Sequence, residues 1–458
     1  MNREKDMTVG KPIRHIFLFA LPLIFTNLGQ QFYMIVDASV VGRGVGVNAL
    51  AAVGATDWCN WLILWVVQAL TQGFASYISK YFGRKDYDMM NRVIVASIEL
   101  CIGFGLILTV MGLAAVKPVL TLLKTPDNIY GGATVYLFTL MSGTIIVMAY
   151  NMSAAILRAF GDGKTPLIAM GIAAITNIVL DITFVIYFKW GIFGAAIATL
   201  TAQLIAFIYC LLRIKHIEFI HLKKEMWVPD IETLKELFLF GLPLAFQYIV
   251  IAISGMIVQS AINLQGTTFI AGYTASNKLY SLLESSAISL GFAVTTYTAQ
   301  NYGAGMWKRV QSGVNSAVAI SAIMSAAVAC IMIVFGRYIV QLFLSSSETN
   351  AVQALDIAYK YLVAMSIFLF PLYMHNVTKY ALNGLGNSIC PMISGIIEFI
   401  IRVICAMILV KVIGNIVLYY IEPFAWIGSA SFMAVSYYVL INRYQRKSHV
   451  KLNDKVKE

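Results

Sequence analysis

The sequence predicts an all-α polytopic membrane protein with twelve transmembrane helices in two pseudo-symmetric six-helix lobes. Three observations lead to this fold class. The 458 residues are 59% hydrophobic and only 12% charged, whereas soluble domains carry about 25% charged residues. The apolar residues fall in runs of about twenty, the length of helix that crosses a bilayer. The second half of the chain also repeats short motifs of the first half in the same order, which indicates an internal duplication.

The apolar runs set the positions of the twelve predicted helices. These are 15–38, 49–73, 94–116, 132–153, 167–188, 191–212, 236–260, 269–295, 313–335, 361–378, 391–410 and 416–440. The longest polar interruption, Arg213–Lys235, lies between the sixth and seventh runs and is interpreted as a linker. We therefore predict an N-lobe at 1–220 with helices 1–6, and a C-lobe at 221–458 with helices 7–12 and a short cytoplasmic tail.

The internal repeat is clearest in two segments that are 221 residues apart. Leu18-Phe-Ala-Leu-Pro-Leu-Ile-Phe25 matches Leu239-Phe-Gly-Leu-Pro-Leu-Ala-Phe246, and farther along Leu157-Arg-Ala-Phe-Gly161 matches Leu382-Asn-Gly-Leu-Gly386. Because six predicted helices separate the copies, an even number, both halves enter the membrane in the same direction. Such parallel repeats are typical of transporters whose halves are related by an axis along the membrane normal.

Basic residues predict the orientation. With both termini in the cytoplasm, 24 Lys and Arg residues fall on the inside and seven on the outside, and two lie within spans. Because short inside loops carry an excess of Lys and Arg, this asymmetry predicts a multi-pass protein of the cell membrane with both termini cytoplasmic. The same distribution accounts for the net charge of +11. We expect no nucleic-acid partner, because the basic residues are spread as loop anchors rather than gathered in one patch.

The sequence offers little support for an enzyme. Six cysteines lie within or at the edges of the spans without metal or redox spacing, and the five histidines are dispersed. The glycine-rich loops after spans two, four and eight lack a phosphate-binding signature and are interpreted as tight turns. We expect a protein that is not an enzyme, with no cofactor, the lipid bilayer as its environment and no obligate protein partner. A passive channel is disfavoured by the two-lobed repeat.

The most informative ionisable residue within a span is Asp181. A charge near the bilayer centre is costly and therefore calls for a reason. Asn177 precedes it by four residues, so the two side chains share a helix face. Thr199 is near the middle of the next span, and Asp37 ends the first.

These four side chains offer two carboxylates, an amide and a hydroxyl, all of which supply oxygen ligands to a small hard cation such as Na⁺. Two close carboxylates in a medium of low dielectric constant repel each other, so a bound cation or a proton would offset their charge. The alternative interpretation is a hydrogen-bonded cluster that only joins three helices. Spacing alone does not decide between them.

Pro22 lies in the first span, 15 residues before Asp37. A proline inside a helix removes one backbone hydrogen bond and bends the helix. Pro243 holds the matching place in the second half. A hinge at Pro22 would couple ion occupancy to shape, and a static kink is the alternative.

Aromatic and acidic residues within the spans suit an adaptable apolar cavity for flat cations. The candidate substrate cavity comprises Tyr33, Asp57, Trp61, Tyr136, Tyr150, Tyr273 and Glu284. Packing against lipid or other helices is the alternative role for such side chains. Glu398 and Arg402 are four residues apart in the favourable order and are predicted to pair within one helix.

The ordered motifs resemble those of the multidrug and toxic compound extrusion (MATE) transporters. The matching elements are Ala20-Leu-Pro22, Gln31…Val36-Asp37…Val41-Gly42, Gln72-Gly73…Gly83, Leu157-Arg-Ala-Phe-Gly-Asp162…Pro166, Asn177…Asp181 and Gly191…Gly194-Ala-Ala-Ile-Ala-Thr199. The resemblance extends over roughly residues 10–440 and continues through the second half to Arg402. Each element is loose, and their order and spacing are specific.

The resemblance implies a secondary active multidrug efflux transporter that antiports drug-like organic cations or amphiphiles against H⁺ or Na⁺ by alternating access. In the branch that this chain resembles, it implies an N-lobe ion site at Asp37, Asn177, Asp181 and Thr199, which would also be the metal ligands if the ion is Na⁺. It places the family's bending proline at Pro22. A lipid-intermediate flippase of the same superfamily is the alternative, although such proteins are expected to have a more cationic central groove.

Overall fold

The structure is a computed structural model that describes residues 4–341 and 351–457, and all regular elements in this part of the chain are helical. The first half contains α1 (Pro12–Gly44), α2 (Val47–Arg84), α3 (Tyr87–Leu122), α4 (Asp127–Ser142), α5 (Thr144–Ala159), α6 (Lys164–Asp181) and α7 (Gly191–Ile214). The second half contains α8 (Ile231–Asn263), α9 (Thr267–Gly303), α10 (Trp307–Gln341), α11 (Ala351–Ile367), α12 (Leu369–Gly384), α13 (Ile389–Ile404), α14 (Val410–Ile413) and α15 (Ile421–Lys457). Short π-helical turns follow α6 at Ile182–Tyr187 and α13 at Cys405–Leu409, and short 3-10 turns lie at Lys224–Trp227 and Asn415–Tyr419.

These helices confirm the predicted all-α membrane fold. Among the described residues, eight helices are long and apolar enough to cross a bilayer, or ten when each bent pair forms one span. The bent pairs are α4 with α5, at 48°, and α11 with α12, at 50°. The two remaining predicted spans correspond to α9, which is more polar, and α13, which is short before it continues as a π-helical turn. In such helices the backbone N–H and C=O groups are hydrogen-bonded to one another, as a bilayer requires.

A glycine at the bend between α4 and α5 allows close packing by α7. Gly143 lies between the two helices, and a Cβ atom at this position would clash with the side chain of Leu200 on α7. The absence of a side chain therefore lets α7 pack directly against the bend. Phe368 occupies the corresponding place between α11 and α12.

The internal repeat is visible in the backbone conformation as well as in the sequence. Gly46 and Gly266 begin the second helix of each half with φ of 120° and 88°. Gly161 and Gly386, which are matched by the sequence repeat, have φ of 75° and 78°. Left-handed backbone of this kind favours glycine, because other residues are strained there. Each of the tight turns predicted after spans two, four and eight contains a residue with positive φ, at Lys85, Gly161 and Gly305.

The chain packs as two compact units. Unit 1 comprises the residues up to Asp6 and Leu21–Ala245, and unit 2 comprises Met7–Ala20 and the chain from Phe246 onward. Unit 1 has an apolar core in which small residues of α2 and α7, among them Ala52 and Ala196, allow close helix packing. In unit 2, one apolar cluster lies between α9, α10 and α11. The predicted division of the sequence at residue 220 stays a prediction.

The two helices that carry the repeated prolines, α1 and α8, are both continuous in the structure. Pro22 lies inside α1 and Pro243 inside α8. Since proline has no backbone N–H, each of these helices lacks one internal hydrogen bond. One turn after Pro22, the hydroxyl of Thr26 donates a hydrogen bond to the carbonyl oxygen of Pro22 at 2.8 Å. The point of weakness in α1 therefore lies on the same helix as Asp37.

Candidate ion-binding site

Three helices of unit 1 bring the four predicted ligands together. Asp37 lies on α1, Asn177 and Asp181 lie on α6, and Thr199 lies on α7. The relative exposures of Asp37, Asn177 and Asp181 are 8%, 1% and 0%. Thr199 is half-buried. The predicted sharing of one face by Asn177 and Asp181 is confirmed, because both lie on the buried side of α6.

The four side chains form one connected cluster. The amide nitrogen Nδ2 of Asn177 donates to Oγ1 of Thr199 at 3.4 Å. The carboxyl groups of Asp37 and Asp181 are close enough to interact directly. When both are ionised, neither carboxylate can donate a hydrogen bond to the other. The pair therefore needs a proton or a positive ion between its oxygens.

Four oxygens of this cluster are buried and have no hydrogen-bond partner in the described part of the chain. They are Oδ1 of Asp37, Oδ1 of Asn177 and both carboxylate oxygens of Asp181. Most buried polar atoms of folded proteins have a partner, so a group of unsatisfied acceptors requires an explanation. All four atoms are acceptor oxygens, and they belong to three neighbouring side chains. Oxygens of this kind can bind a Na⁺ ion or a proton.

The helix that carries Asn177 and Asp181 changes its geometry directly after the cluster. α6 ends at Asp181, and the π-helical turn Ile182–Tyr187 follows directly. A π-helical turn has one extra residue per hydrogen-bonded ring and is frequent at functional sites. Sequence patterns gave no indication of this turn, because its composition resembles that of the helix before it.

Two tyrosines of the predicted substrate cavity lie within electrostatic range of the cluster. Tyr33 and Tyr136 are both close enough to interact with the two carboxylates, and Tyr136 also interacts with Asp57. Tyr150 interacts with Tyr33 and is 8% exposed. Of the seven predicted cavity residues, Tyr33 and Tyr136 therefore lie near the ion cluster, and Asp57 and Tyr150 are linked to it only through these two tyrosines.

The other three predicted cavity residues lie elsewhere. Trp61 packs against Trp65 with ring centroids 6.0 Å apart. Tyr273 and Glu284 belong to unit 2, where both are close enough to Arg402 to interact with its charge. Their assignment to a substrate cavity stays a prediction.

The donor set differs from that of a transition-metal centre. No group of three or more His, Cys, Asp or Glu side chains that could hold a metal ion occurs in residues 4–341 and 351–457. All six cysteines are free. The Asp37 cluster has only two carboxylates and is completed by an amide and a hydroxyl, which favours a weakly held monovalent cation over a tightly bound divalent one.

A second charged cluster, centred on Arg402, lies in unit 2 and was only partly predicted. The expected pairing of Glu398 with Arg402 is confirmed at 3.4 Å. Glu422, near the start of α15, accepts a hydrogen bond from Nη2 of Arg402 at 2.7 Å. His375 lies 3.4 Å from Glu398. Sequence spacing could not reveal these partners, because they lie on α12 and α15.

The structure corrects the predicted location of Lys379. We counted it among the inside loop residues, because the tenth predicted span ended at 378. The structure continues α12 to Gly384 and buries Lys379 to 6% exposure. Its ammonium group lies 5.4 Å and 4.8 Å from the ring centroids of Tyr248 and Tyr380. Aromatic faces attract a cation and so reduce the cost of burying it.

The fold and the buried polar cluster define a class of polytopic, internally repeated helical membrane proteins. Within it, the chain belongs to the MatE family, whose family model matches residues 22–183 and 243–408. The two matched ranges correspond to the two halves of the repeat. Family membership was predicted from the ordered motifs and is confirmed.

Named relatives and solved structures agree with this assignment. The chain is 30% identical over 349 residues to the probable multidrug resistance protein YpnP of Bacillus subtilis, with coverage of 76% of this chain and 78% of the relative. It is 24% identical to the probable multidrug resistance protein NorM of Thermotoga maritima, with coverage of 83% and 82%. A crystal structure of MATE in the bent conformation matches with a TM-score of 0.89 at 22% identity, with coverage of 97% and 98%. An outward-facing MATE family transporter matches with a TM-score of 0.89 at 23% identity, with coverage of 96% and 98%.

Proposed function

We propose that this protein is a secondary active multidrug efflux transporter that exchanges organic cations or amphiphilic drugs for Na⁺ or H⁺ by alternating access. Membership of the MatE family supports a transport role, and the relatives named above are multidrug resistance proteins. Transport rather than catalysis also agrees with the dispersed histidines and cysteines of the sequence.

The observation that carries the proposal is the set of four unpartnered oxygens at Asp37, Asn177 and Asp181. Ionised carboxylates in a buried site cost several kcal/mol unless a positive charge compensates them. Binding of Na⁺ or of a proton removes this cost. The two ions compete for the same oxygens, so the same cluster serves either as a sodium site or as a protonation site.

Coupling requires that the cation bind the two alternating conformations with unequal affinity, because equal affinity would shift nothing. α1 offers a physical route, since Pro22 weakens the helix that carries Asp37. When the cation draws Asp37 towards Asp181, a change of bend at Pro22 would alter the position of this helix. We assign Pro22 the role of a hinge on this ground.

The drug-binding surface in this proposal includes the tyrosines next to the ion cluster. Tyr33, Tyr136 and Tyr150 offer aromatic faces to flat cationic substrates. Because Tyr33 and Tyr136 lie within electrostatic range of both carboxylates, the positive charge of a drug and the coupling cation would be mutually unfavourable there. Such repulsion favours exchange of one for the other.

Efflux in proteoliposomes tests the proposal. A fluorescent organic cation such as ethidium serves as the substrate, and a pH gradient and a Na⁺ gradient are imposed in separate experiments. One of the two gradients should drive ethidium transport by the native protein. Asp37→Asn and Asp181→Asn should each abolish gradient-driven transport, because one negative charge is lost from the pair.

Glu99→Gln is the matched control. Glu99 is a half-buried acid within α3 that does not belong to the cluster, so its neutralisation should leave transport close to the native rate. Native rates in either aspartate variant, or the absence of transport under both gradients in the native protein, would contradict the proposed antiport.

A further inference from the structure

The Arg402 cluster of unit 2 lies at the position that corresponds to the ion cluster of unit 1. The helices α6 and α13 can be aligned on Pro166 and Pro391, the third residue of each helix. Asn177 and Arg402 then fall on the same position, 11 residues after the proline. Both are buried, at 1% and 6% exposure. An amide in one half is thus replaced by a guanidinium in the other.

The neighbouring helices correspond as well. Tyr33 on α1 is the repeat equivalent of Ser254 on α8, at the same separation of 221 residues that relates the Leu-Pro-Leu segments. Tyr33 borders the ion cluster of unit 1, and Ser254 contacts Arg402 in unit 2. In both units, the third contributing element is the last transmembrane helix of that half, α7 or α15.

The guanidinium of Arg402 is held by oxygens on three helices. Nη2 donates to Oε2 of Glu422 at 2.7 Å and lies 3.4 Å from Oε2 of Glu398. Nη1 donates to Oγ of Ser254 at 3.0 Å. Two carboxylates and a hydroxyl therefore surround this positive group, and two carboxylates and a hydroxyl also belong to the cluster at Asp37.

We propose that Arg402 is a built-in cation that permanently fills a monovalent-cation site in unit 2. Guanidinium does not lose its proton in proteins, so this site cannot empty during a transport cycle. The mobile cation is then bound only by the cluster of unit 1. This inference rests on the proposed function, since it specifies which half of the repeat exchanges its cation.

A purely structural role of Arg402 and a role as a substitute cation predict different Na⁺ affinities when Arg402 is replaced. If Arg402 only joins helices, its removal weakens the fold and creates no new affinity. If Arg402 stands in for a cation, the change Arg402→Gln leaves two carboxylates, a hydroxyl and a new amide in the buried site. That is the donor set of the unit 1 cluster, so the variant should gain the ability to bind Na⁺.

The test measures equilibrium binding of ²²Na⁺ to purified full-length protein in detergent at alkaline pH, where competition from protons is weak. All variants carry Asp37→Asn and Asp181→Asn, so that the unit 1 cluster does not contribute. Arg402→Gln on this background should bind an additional equivalent of Na⁺ per chain, and a further Glu422→Gln change should remove it. Arg402→Lys, which keeps the positive charge, should bind none.

Two outcomes would overturn the inference. One is that Arg402→Gln binds no more Na⁺ than Arg402→Lys does. The other is that the background with Arg402 intact already binds Na⁺, which would mean that unit 2 has an open cation site. The second measurement needs no change at Arg402, so it can still overturn the inference if Arg402→Gln does not fold. Because the unit 1 cluster is disabled throughout, failure of the proposed antiport would not alter either outcome.

Discussion

Asp181 is fully buried, and neither of its carboxylate oxygens has a hydrogen-bond donor among the described residues. The cost of such a group is several kcal/mol when it is ionised. Natural folds tolerate this cost where a site must respond to an ion or a proton, which is why strongly unfavourable burial of a carboxylate indicates function. The neighbouring Asp37 raises the cost further, because like charges repel in a medium of low dielectric constant.

Thr199 provides the hydroxyl of the site and accepts the hydrogen bond of Asn177. Thr199→Val keeps the shape of the side chain and removes this oxygen. Loss of one hydrogen bond costs about 1 kcal/mol, so we expect the apparent affinity for the coupling ion to fall by roughly fivefold. The concentration of coupling ion that gives half-maximal ethidium efflux measures this change.

Thr201→Val is the matched control for this prediction. Thr201 lies on the same helix, two residues farther on, and therefore points about 200° away around the helix axis. It should leave the half-maximal ion concentration unchanged, and Thr199→Ser, which retains a hydroxyl, should be close to native. Equal effects of Thr199→Val and Thr201→Val would mean that the hydroxyl of Thr199 has no specific role.

The residues of the unit 1 cluster could be predicted because they are unusual for their surroundings. A carboxylate in the middle of an apolar run is conspicuous in a sequence, and Asp181 with Asn177 four residues earlier shares a face by helix geometry alone. The partners of Arg402 could not be predicted in this way. Glu422 is near the end of its span and His375 is on another helix, so only tertiary packing brings them to the guanidinium.

At the scale of the helices, α1 combines a weak point and a charged ligand. Pro22 interrupts the hydrogen bonding of α1, and Asp37 lies about four turns farther along the same helix. Helix continuity across the proline means that a change of bend there displaces Asp37 as part of a rigid segment. The positions of such prolines could be predicted from sequence. The π-helical turn after Asp181 could not, since nothing in its composition differs from an α-helix.

Asp230 caps the first turn of α8 and makes a prediction about pH. Its Oδ2 accepts a hydrogen bond from the hydroxyl of Thr233 at 2.7 Å, and its Oδ1 accepts from the backbone N–H groups of Glu232 and Thr233 at 3.2 and 3.4 Å. These bonds, the Thr233 hydroxyl first, hold the pKa of Asp230 below its ordinary value. The cap therefore stabilises the fold at pH values above the ordinary pKa of Asp and loses this effect as the pH falls through the lowered value.

Apparent thermal midpoints in detergent test the role of Asp230. Asp230→Ala should destabilise the protein by about 1 kcal/mol at neutral pH, the typical cost of losing an N-cap. Asp230→Asn keeps an oxygen acceptor and should retain most of the stability, while removing this contribution to the loss on acidification. Glu232→Ala, in the same turn but without a capping bond from its side chain, should have little effect. A native midpoint for Asp230→Ala would rule out a stabilising cap.

At the scale of the whole molecule, the twelve predicted spans follow the order of the long helices and bent helix pairs in the described part of the chain. Composition and run length suffice for this, because every span must satisfy its own backbone hydrogen bonds within the bilayer. Helix ends were less predictable. The span that was predicted to end at 378 continues to Gly384, since Tyr248 and Tyr380 make the burial of Lys379 tolerable. Close packing of helices within each unit depends on small residues at the helix contacts, and hydropathy does not identify these residues.

Orientation in the membrane is the remaining property of the whole molecule that the charge distribution predicts. The excess of basic residues on one side should keep both termini in the cytoplasm. Four exposed lysines, three in connections between helices and one in the first turn of α10, allow a direct test in a background in which the six cysteines have been replaced. The changes are Lys124→Cys and Lys189→Cys, predicted outside, and Lys223→Cys and Lys308→Cys, predicted inside.

A membrane-impermeant maleimide applied to intact cells should label the cysteines at positions 124 and 189 and leave those at 223 and 308 unlabelled. After permeabilisation all four should react, because each native lysine is exposed and none is enclosed by packing. Each variant acts as a control for the others, since all four changes replace an exposed lysine with a cysteine near the end of a helix. The opposite labelling pattern would place the termini outside the cell. It would also reverse the direction in which the ion gradient must act on the buried carboxylates of unit 1, so the labelling result fixes the sign of the gradient that the efflux experiment should use.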